Sequence, residues 1–424
     1  MRTASLLVAA ALVLEAGSVL PGQAGSGGTR AWPRLSGRAI LPADTFAPGP
    51  PSGAFIRDGV RAQFPPFEAQ PVQGFSSIWP DSDGWFWALA DNGFGTKINS
   101  PDFLLRIYRV RPLFDEGRVE VDDVFIQLGD PDRLVPFHIV HEESAGRLLT
   151  GADFDPESMV RMPDGTFWIG DEFGPFLLHV SAGGRLLAPP VEAAGIRSPD
   201  HPLLPAPDAG ENSQATVGRS RGFEGLAPYG DEGLLVALLE DGLTGDEGRV
   251  SRALEFNPST RAFTGREWRI PLERQGHALT ELVRVAPQHV THSPPGGWLP
   301  ESAALFLLIE RDGGHGPAAK FKRVFQVGLS GERGTDGALV VTKTGPDAPV
   351  RVHGPVDLLE IPDPDRIAGS GGRFSFPYVT TEALWPVWPD LIIVNDNNYP
   401  ATGGRHPDRR DPTEFIRVRF GVRR

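Results

Sequence analysis

The chain has 424 residues, with 41 Lys and Arg against 54 Asp and Glu, and the resulting formal charge of −13 at pH 7 argues against a nucleic-acid partner. Hydrophobic residues at 40% and charged residues at 22% exclude general disorder and a polytopic membrane protein. There is no Cys, which excludes disulfides, thiolate metal sites and cysteine nucleophiles, while 51 Gly and 42 Pro disfavour a helical bundle and favour short strands joined by many turns.

Residues 1–24 read as a secretory signal peptide. Met1-Arg2 gives a positive start, Ala4 to Leu14 is apolar, and Pro21-Gly22-Gln23-Ala24 offers a small-residue cleavage site. The apolar run is too short to cross the roughly 30 Å of a bilayer core. Residues 25–50 read as a flexible linker, most plainly Gly25 to Pro33. Residues 51–424 are then expected to form a single exported domain, monomeric and without stable membrane insertion.

From there on one pattern repeats: an apolar strand headed by a small or acidic residue, a turn, a second apolar strand, then an acidic pair. Phe75 to Trp79 turns at Asp81–Gly84 into Trp85 to Ala90 and ends Asp91-Asn92. Pro156-Glu157-Ser158-Met159-Val160 turns at Pro163-Asp164-Gly165 into Thr166 to Gly170 and ends Asp171-Glu172. Phe223-Glu224-Gly225-Leu226-Ala227 leads into Leu234 to Leu239 and ends Glu240-Asp241. A degenerate copy, Ala303 to Ile309, ends Glu310-Arg311; the last, Thr381-Glu382-Ala383-Leu384, leads into Leu391 to Val394 and ends Asn395-Asp396-Asn397. Further strands are expected at Tyr108 to Val110 with Val119 to Leu128, Leu254 to Phe256 with Trp268 to Ile270, and Arg323 to Val327 with Ala338 to Thr342. Four short strands per unit predict an all-β fold, a β-propeller, with six blades expected within a range of five to seven and one blade closed by the two chain ends. Ala188 to Gly218, rich in Pro, and Gln288 to Pro300 read as loop insertions.

In a propeller the inner strands converge on the axis, so acids at their heads share one small volume. Glu157, Glu224 and Glu382 hold that position, and Asp171 and Asp396, with Asp91, Asn92 and Asn397, follow the second strands. Clustered carboxylates repel, and a cation normally holds them ionised. Oxygen donors without Cys select Ca²⁺ or Mg²⁺ over zinc, with Ca²⁺ preferred. Arg221, Arg311, Lys322 and Arg323 stand near these acids in sequence, as anion clamps or as ordinary salt-bridge partners. Gly313-Gly314-His315-Gly316 reads as a loop over the site or a plain hairpin turn. His138 and His141 read as surface or packing residues, and Asp241 to Glu247 departs from the spacing of a Ca²⁺ loop. No H-E-x-x-H or Walker A motif is present.

Asp155-Pro156-Glu157-Ser158-Met159-Val160 with Pro163 to Pro175, Arg221 to Ala227, Leu307 to Gly313, Phe321 to Phe325, and Glu382 to Asn397 preceded by Val356 to Leu359 together resemble the phytase-like domain family, also called esterase-like activity of phytase. The resemblance spans roughly residues 55–420 and implies an exported β-propeller with phosphoesterase or esterase activity. This chain has Thr381-Glu382-Ala383 where the family has Pro-Glu-Gly, and Glu240-Asp241 where the family has a less acidic turn.

The expectation is therefore an exported, Ca²⁺-binding ester hydrolase acting on a small-molecule ester, phosphate monoesters first. Its metal ligands are Glu157, Glu224, Glu382, Asp171 and Asp396. Arg221, Arg311 and Lys322 stabilise charge, and Glu172 or Glu310 takes the proton. The alternatives are a carboxylic-ester or lactone hydrolase on the same centre, and a non-catalytic binding propeller with a structural ion.

Overall fold

The structure is a computed structural model, and it describes residues 33–419 apart from 205–213, 231, 247–248, 287–303, 335–336, 344–355, 370, 402–403 and 406–407. The expected signal peptide, residues 25–32 of the expected linker and the Gln288–Pro300 insertion lie outside the described residues.

Each repeated sequence unit builds one antiparallel blade of four strands, and the first and fifth blades are joined edge to edge where Ile40 pairs with Arg118. The first blade runs Phe75–Pro80, Phe86–Ala90, Arg106–Leu113 and Arg118–Gln127 from inside to outside. The second is Pro156–Arg161, Phe167–Asp171, Phe176–Val180 and Val191–Glu192; the third is Phe223–Tyr229, Leu234–Leu239, Val250–Asn257 and Ala262–Pro271. The fourth is Ala278–Arg284, Ala304–Arg311, Lys322–Arg333 and Leu339–Lys343. The fifth takes Thr381–Val387, Asp390–Asn395 and Thr413–Arg419 from the C-terminal end and its outermost strand, Arg34–Leu41, from the N-terminal end. Each inner strand packs on the next, and Thr381–Val387 returns to Phe75–Pro80, which closes the ring. The fold is a β-propeller, with no α-helix among the described residues and no helix long and apolar enough to cross a membrane.

Three expectations need correction. Five blades, not six, make up the ring among the described residues, because each acidic motif heads one blade and the last inner strand already meets the first. The linker expected over 25–50 is structured from Arg34 onward: Leu35 pairs with Val418 and Leu41 with Thr413, so the two chain ends clasp one blade as anticipated. The Ala188–Gly218 insertion is not entirely loop, since Val191–Glu192 pairs with Phe176 and Leu177 as the fourth strand of its blade.

Burial explains the strand sequences. Inner strands have blades on both faces and are buried along nearly their whole length, whereas outer strands such as Arg34–Leu41 alternate buried and half-buried residues. The core lies between blades. Trp168 stacks on His179 at 4.4 Å and meets Phe256 edge-on at 4.8 Å between the second and third blades. Leu35 fills the space beside Ile416, Val418, Leu384 and Ile393.

Because Leu35 is fully buried and belongs to the closing strand, Leu35→Ala is expected to cost about 2–5 kcal/mol. Urea unfolding should show a lower midpoint with an unchanged slope. An unchanged midpoint would mean that the N-terminal strand does not clasp the ring.

Candidate metal centre

Every inner strand carries a β-bulge at the same place. The register slips between Phe75 and Ser77, Pro156 and Ser158, Phe223 and Gly225, Thr280 and Leu282, and Thr381 and Ala383. A bulge frees one residue from the ladder and re-aims its side chain. The five freed residues are Ser76, Glu157, Glu224, Glu281 and Glu382. Sequence reasoning found three of them and missed Glu281, because its strand, Ala278–Arg284, was not recognised; the Thr-Glu-Leu there matches the Thr-Glu-Ala of Glu382.

A second set of acids begins where pairing with the inner strand stops. The backbone N–H of Asp91, Glu172 and Glu240 each donates to the residue two before a bulge, at 2.8–2.9 Å to Gly74, Asp155 and Gly222. Glu157, Glu224 and Glu382 come together, as do Asp155, Glu157 and Glu172, and Glu172, Glu224 and Glu240, with candidate ligand oxygens within 4.8 Å of one another in each triad. All are buried. The cavity they share is about 180 Å³ and is also lined by Arg219, Arg221, Arg311, Asp91 and Asp396. Gly222 is required beside it: a Cβ there would lie 2.3 Å from the Glu172 Cα, and the Gly222 N–H donates to Glu172 Oε1 at 3.1 Å.

The structure separates the remaining expected residues. Asp171 stands one residue too early; its oxygens accept the backbone N–H of Asp155 at 2.7 Å and Gly174 at 2.8 Å, so it shapes the loop and is not among the clustered ligands. Asp396 lines the cavity and accepts the Asn398 N–H at 2.7 Å. In the fourth blade pairing continues to Ala278 and Arg311, so Glu310 and Arg311 face opposite sides. Arg311 enters the cavity, and Glu310 turns away to His277 Nδ1 at 2.6 Å and to an ion pair with Lys343, which removes it as a base for this site. Lys322 is buried beside the site without lining it; its Nζ donates to the Asp312 carbonyl at 2.5 Å and the Val379 carbonyl at 3.3 Å. The loop after Asp312 is a 3-10 turn, Gly316–Ala318, whose Gly316 N–H donates to Pro377 O. Asp246 is ion-paired with Arg252, which gives the 241–247 turn a structural purpose; Glu247 lies outside the described residues. His138 is exposed and pairs with Glu142, and His141 bonds the Leu148 carbonyl, as expected of surface and packing residues.

Asp155 and Glu240 were missing from the expected ligand set. Asp155 stands two residues before Glu157 and accepts both the Asn92 N–H, at 3.1 Å, and its Nδ2, at 2.7 Å. Glu240 is held by two guanidiniums, ion-paired to Arg221 and accepting from Arg311 Nη2 at 2.9 Å; Arg311 also reaches Glu382 Oε1 at 3.3 Å.

Burial dominates the electrostatics. Desolvation, then repulsion from neighbouring acids, holds Glu157, Glu172, Glu224 and Asp91 well above the usual carboxylate range. The same causes push Glu382 up to about 8, while desolvation moves Asp155 and Asp396 to about 6. Desolvation and the Arg311 charge lower Lys322 to about 8. Glu224 Oε2 is buried with no hydrogen-bond partner. An orphaned carboxylate oxygen amid carboxylates that outnumber the guanidiniums is the donor chemistry of a hard divalent cation, so the residues present fit one.

The chain has relatives among known proteins. It is 28% identical over 197 residues to an "Uncharacterized secreted protein" of Arthroderma benhamiae, covering 39% of this chain and 36% of that one, so it spans about a third of that relative's length. Among solved structures it is similar to a luciferin-regenerating enzyme, with 11% identity, TM-score 0.34, and 82% and 78% of the two chains covered. It is also similar to the periplasmic gluconolactonase of Pseudomonas aeruginosa, with 13% identity, TM-score 0.32, and 92% and 96% covered. The phytase-like pattern, described as esterase-like activity of phytase, matches residues 70–399, which include all five inner strands and every acid of the cluster. The chain therefore belongs to the phytase-like family.

Proposed function

We propose that the chain is an exported, divalent-cation-dependent ester hydrolase whose preferred substrates are phosphate monoesters. The observation that carries this reading is the presence of Arg221 and Arg311 in the same cavity as a buried carboxylate cluster with an orphaned oxygen. Glu157, Glu224 and Glu382 would hold the ion, preferably Ca²⁺, with Asp155 and Glu172 at its flank and Asp396 at the cavity wall. Such an ion supplies Lewis acidity, which polarises an ester oxygen and eases deprotonation of water. The guanidiniums of Arg221 and Arg311 bind the equatorial oxygens and stabilise their growing charge. Glu172 accepts the proton as the water oxygen bonds to phosphorus, then returns it to the departing alkoxide. Asp171, Glu310 and Lys322 support this arrangement from outside the cavity. Export rests on the N-terminal signal-like segment, and a monomer is the proposed state in solution.

Carboxylic esters are the second reading, favoured by one observation: both guanidiniums are already engaged by Glu240, which reduces their capacity for a dianion. Assays of the mature protein with p-nitrophenyl phosphate and p-nitrophenyl acetate, with Ca²⁺ or EDTA, separate the readings. Faster, Ca²⁺-dependent phosphate release supports the first; acetate turnover alone supports the second.

The raised acid pKa values fix the sign of a pH effect. Without an ion, the folded protein holds protons that the unfolded chain releases near pH 4, so the stability that these acids contribute is present at low pH and is lost as pH rises through about 6 to about 8. A cation replaces those protons. The gain in Tm from Ca²⁺ over EDTA should therefore grow from pH 5 to pH 8. A gain that is absent, or constant across that range, would contradict a metal at the cluster.

Two substitutions test the roles directly. Glu224→Gln keeps the shape and removes a charge, so Ca²⁺ affinity should fall by roughly tenfold or more and turnover should drop for every ester. Arg221→Lys keeps the charge and loses the planar fork, so phosphate-ester turnover should fall on the order of tenfold while acetate turnover is retained. Calorimetry and relative rates decide; wild-type Ca²⁺ affinity in Glu224→Gln would remove Glu224 from the site.

A further inference from the structure

Glu281 breaks the fivefold pattern. It occupies the same bulge position as Glu157, Glu224 and Glu382, yet its φ is +51°, a left-handed conformation that none of those three adopts and that a Glu side chain rarely takes. The consequence is a reversed aim. Glu281 does not line the acid cavity; it lines a separate cavity of about 80 Å³ together with Ser77, Met159, Trp79, Trp385 and Arg284. Its Oε2 accepts the Ser77 hydroxyl at 3.2 Å and its Oε1 the Leu282 N–H at 3.1 Å, which fixes the carboxylate in place. Glu281 is 2% exposed, and desolvation holds its carboxylate well above the ordinary carboxylate range. Arg284, on the same wall, instead donates to the Gly230 carbonyl. Trp79 and Trp385, both half-buried, pack against each other with ring centroids 4.8 Å apart and their planes inclined at 58°.

A buried acceptor carboxylate set among two indoles and a thioether is the environment that recognises an organic cation: the aromatic faces attract the positive charge and the carboxylate takes its N–H donors. We propose that this second cavity is a binding site for a small organic ammonium ion, seated on Glu281 against Trp79 and Trp385, and distinct from the carboxylate cluster. The strained backbone at Glu281 is then the device that withdraws one of four equivalent glutamates from the cluster and assigns it to this ligand.

The site is tested on the mature protein in excess Ca²⁺, so that the carboxylate cluster is occupied, using n-propylammonium, propionate and n-propanol as probes. Propylammonium is expected to bind saturably by calorimetry and raise Tm, with no saturable response to propanol or propionate. Glu281→Gln should weaken propylammonium binding on the order of tenfold or more, the loss expected for a charged hydrogen bond. Trp385→Ala, which leaves the bulge intact, should weaken it too and serves if Glu281→Gln does not fold. No saturable propylammonium binding, tighter binding of propionate, or wild-type affinity in either folded variant would overturn the proposal. None of these readouts depends on ester turnover, so the hydrolase reading can fail while this one stands.

Discussion

Mutual repulsion among buried carboxylates is the constraint that organises this propeller. Candidate ligand oxygens of Glu157, Glu224 and Glu382, from three blades, lie within 4.8 Å of one another, and Asp155, Glu172 and Glu240 crowd the same volume. Ionised together in a low dielectric they would oppose folding strongly. Two responses are visible in the structure: Arg221 and Arg311 converge on Glu240, and the pKa values of the rest rise so that protons take the place of charge. Both responses are partial, since Glu224 Oε2 keeps no partner. In the proposed function a divalent cation would complete the balance, and the same event that stabilises the fold would prepare the site for an anionic ester.

The scaffold makes this arrangement geometrically inexpensive. A bulge at one position of each inner strand converts a repeated sequence motif into a ring of side chains without breaking the outer ladders. Variation then proceeds blade by blade. The first blade offers Ser76, whose hydroxyl donates to Glu382 Oε2 at 3.1 Å; the fourth sends Glu281 elsewhere and lets Arg311 in by extending its pairing. One fivefold device thus yields acceptors, a donor and a counter-charge.

The sequence disclosed the fold through its repeats, because alternating apolar strands with acidic ends are a local signal and the blades are local units. Glu157, Glu224, Glu382, Glu172, Arg221 and Arg311 were legible for the same reason. What failed was finer than the repeat. Asp171 and Glu172 are adjacent, and only the register of Pro156 against Asp171 shows which one reaches the cavity. Glu310 and Arg311 pose the same problem, settled by where pairing stops. Glu281 was missed because its strand precedes a long insertion that blurs the repeat, and the blade count because a ring closure is a global property that no single motif encodes. Lys322 lies close to the site in space, but its ammonium is spoken for by backbone carbonyls, a fact visible only in three dimensions.

In the proposed function one divalent ion sits among the inner-strand glutamates on the propeller axis. Anomalous diffraction from crystals of the mature protein soaked in Mn²⁺ tests it most directly. A peak bonded to oxygens of Glu157, Glu224 and Glu382 is expected; a cluster free of anomalous density at saturating Mn²⁺, or a peak confined to other residues, would rule the ion out.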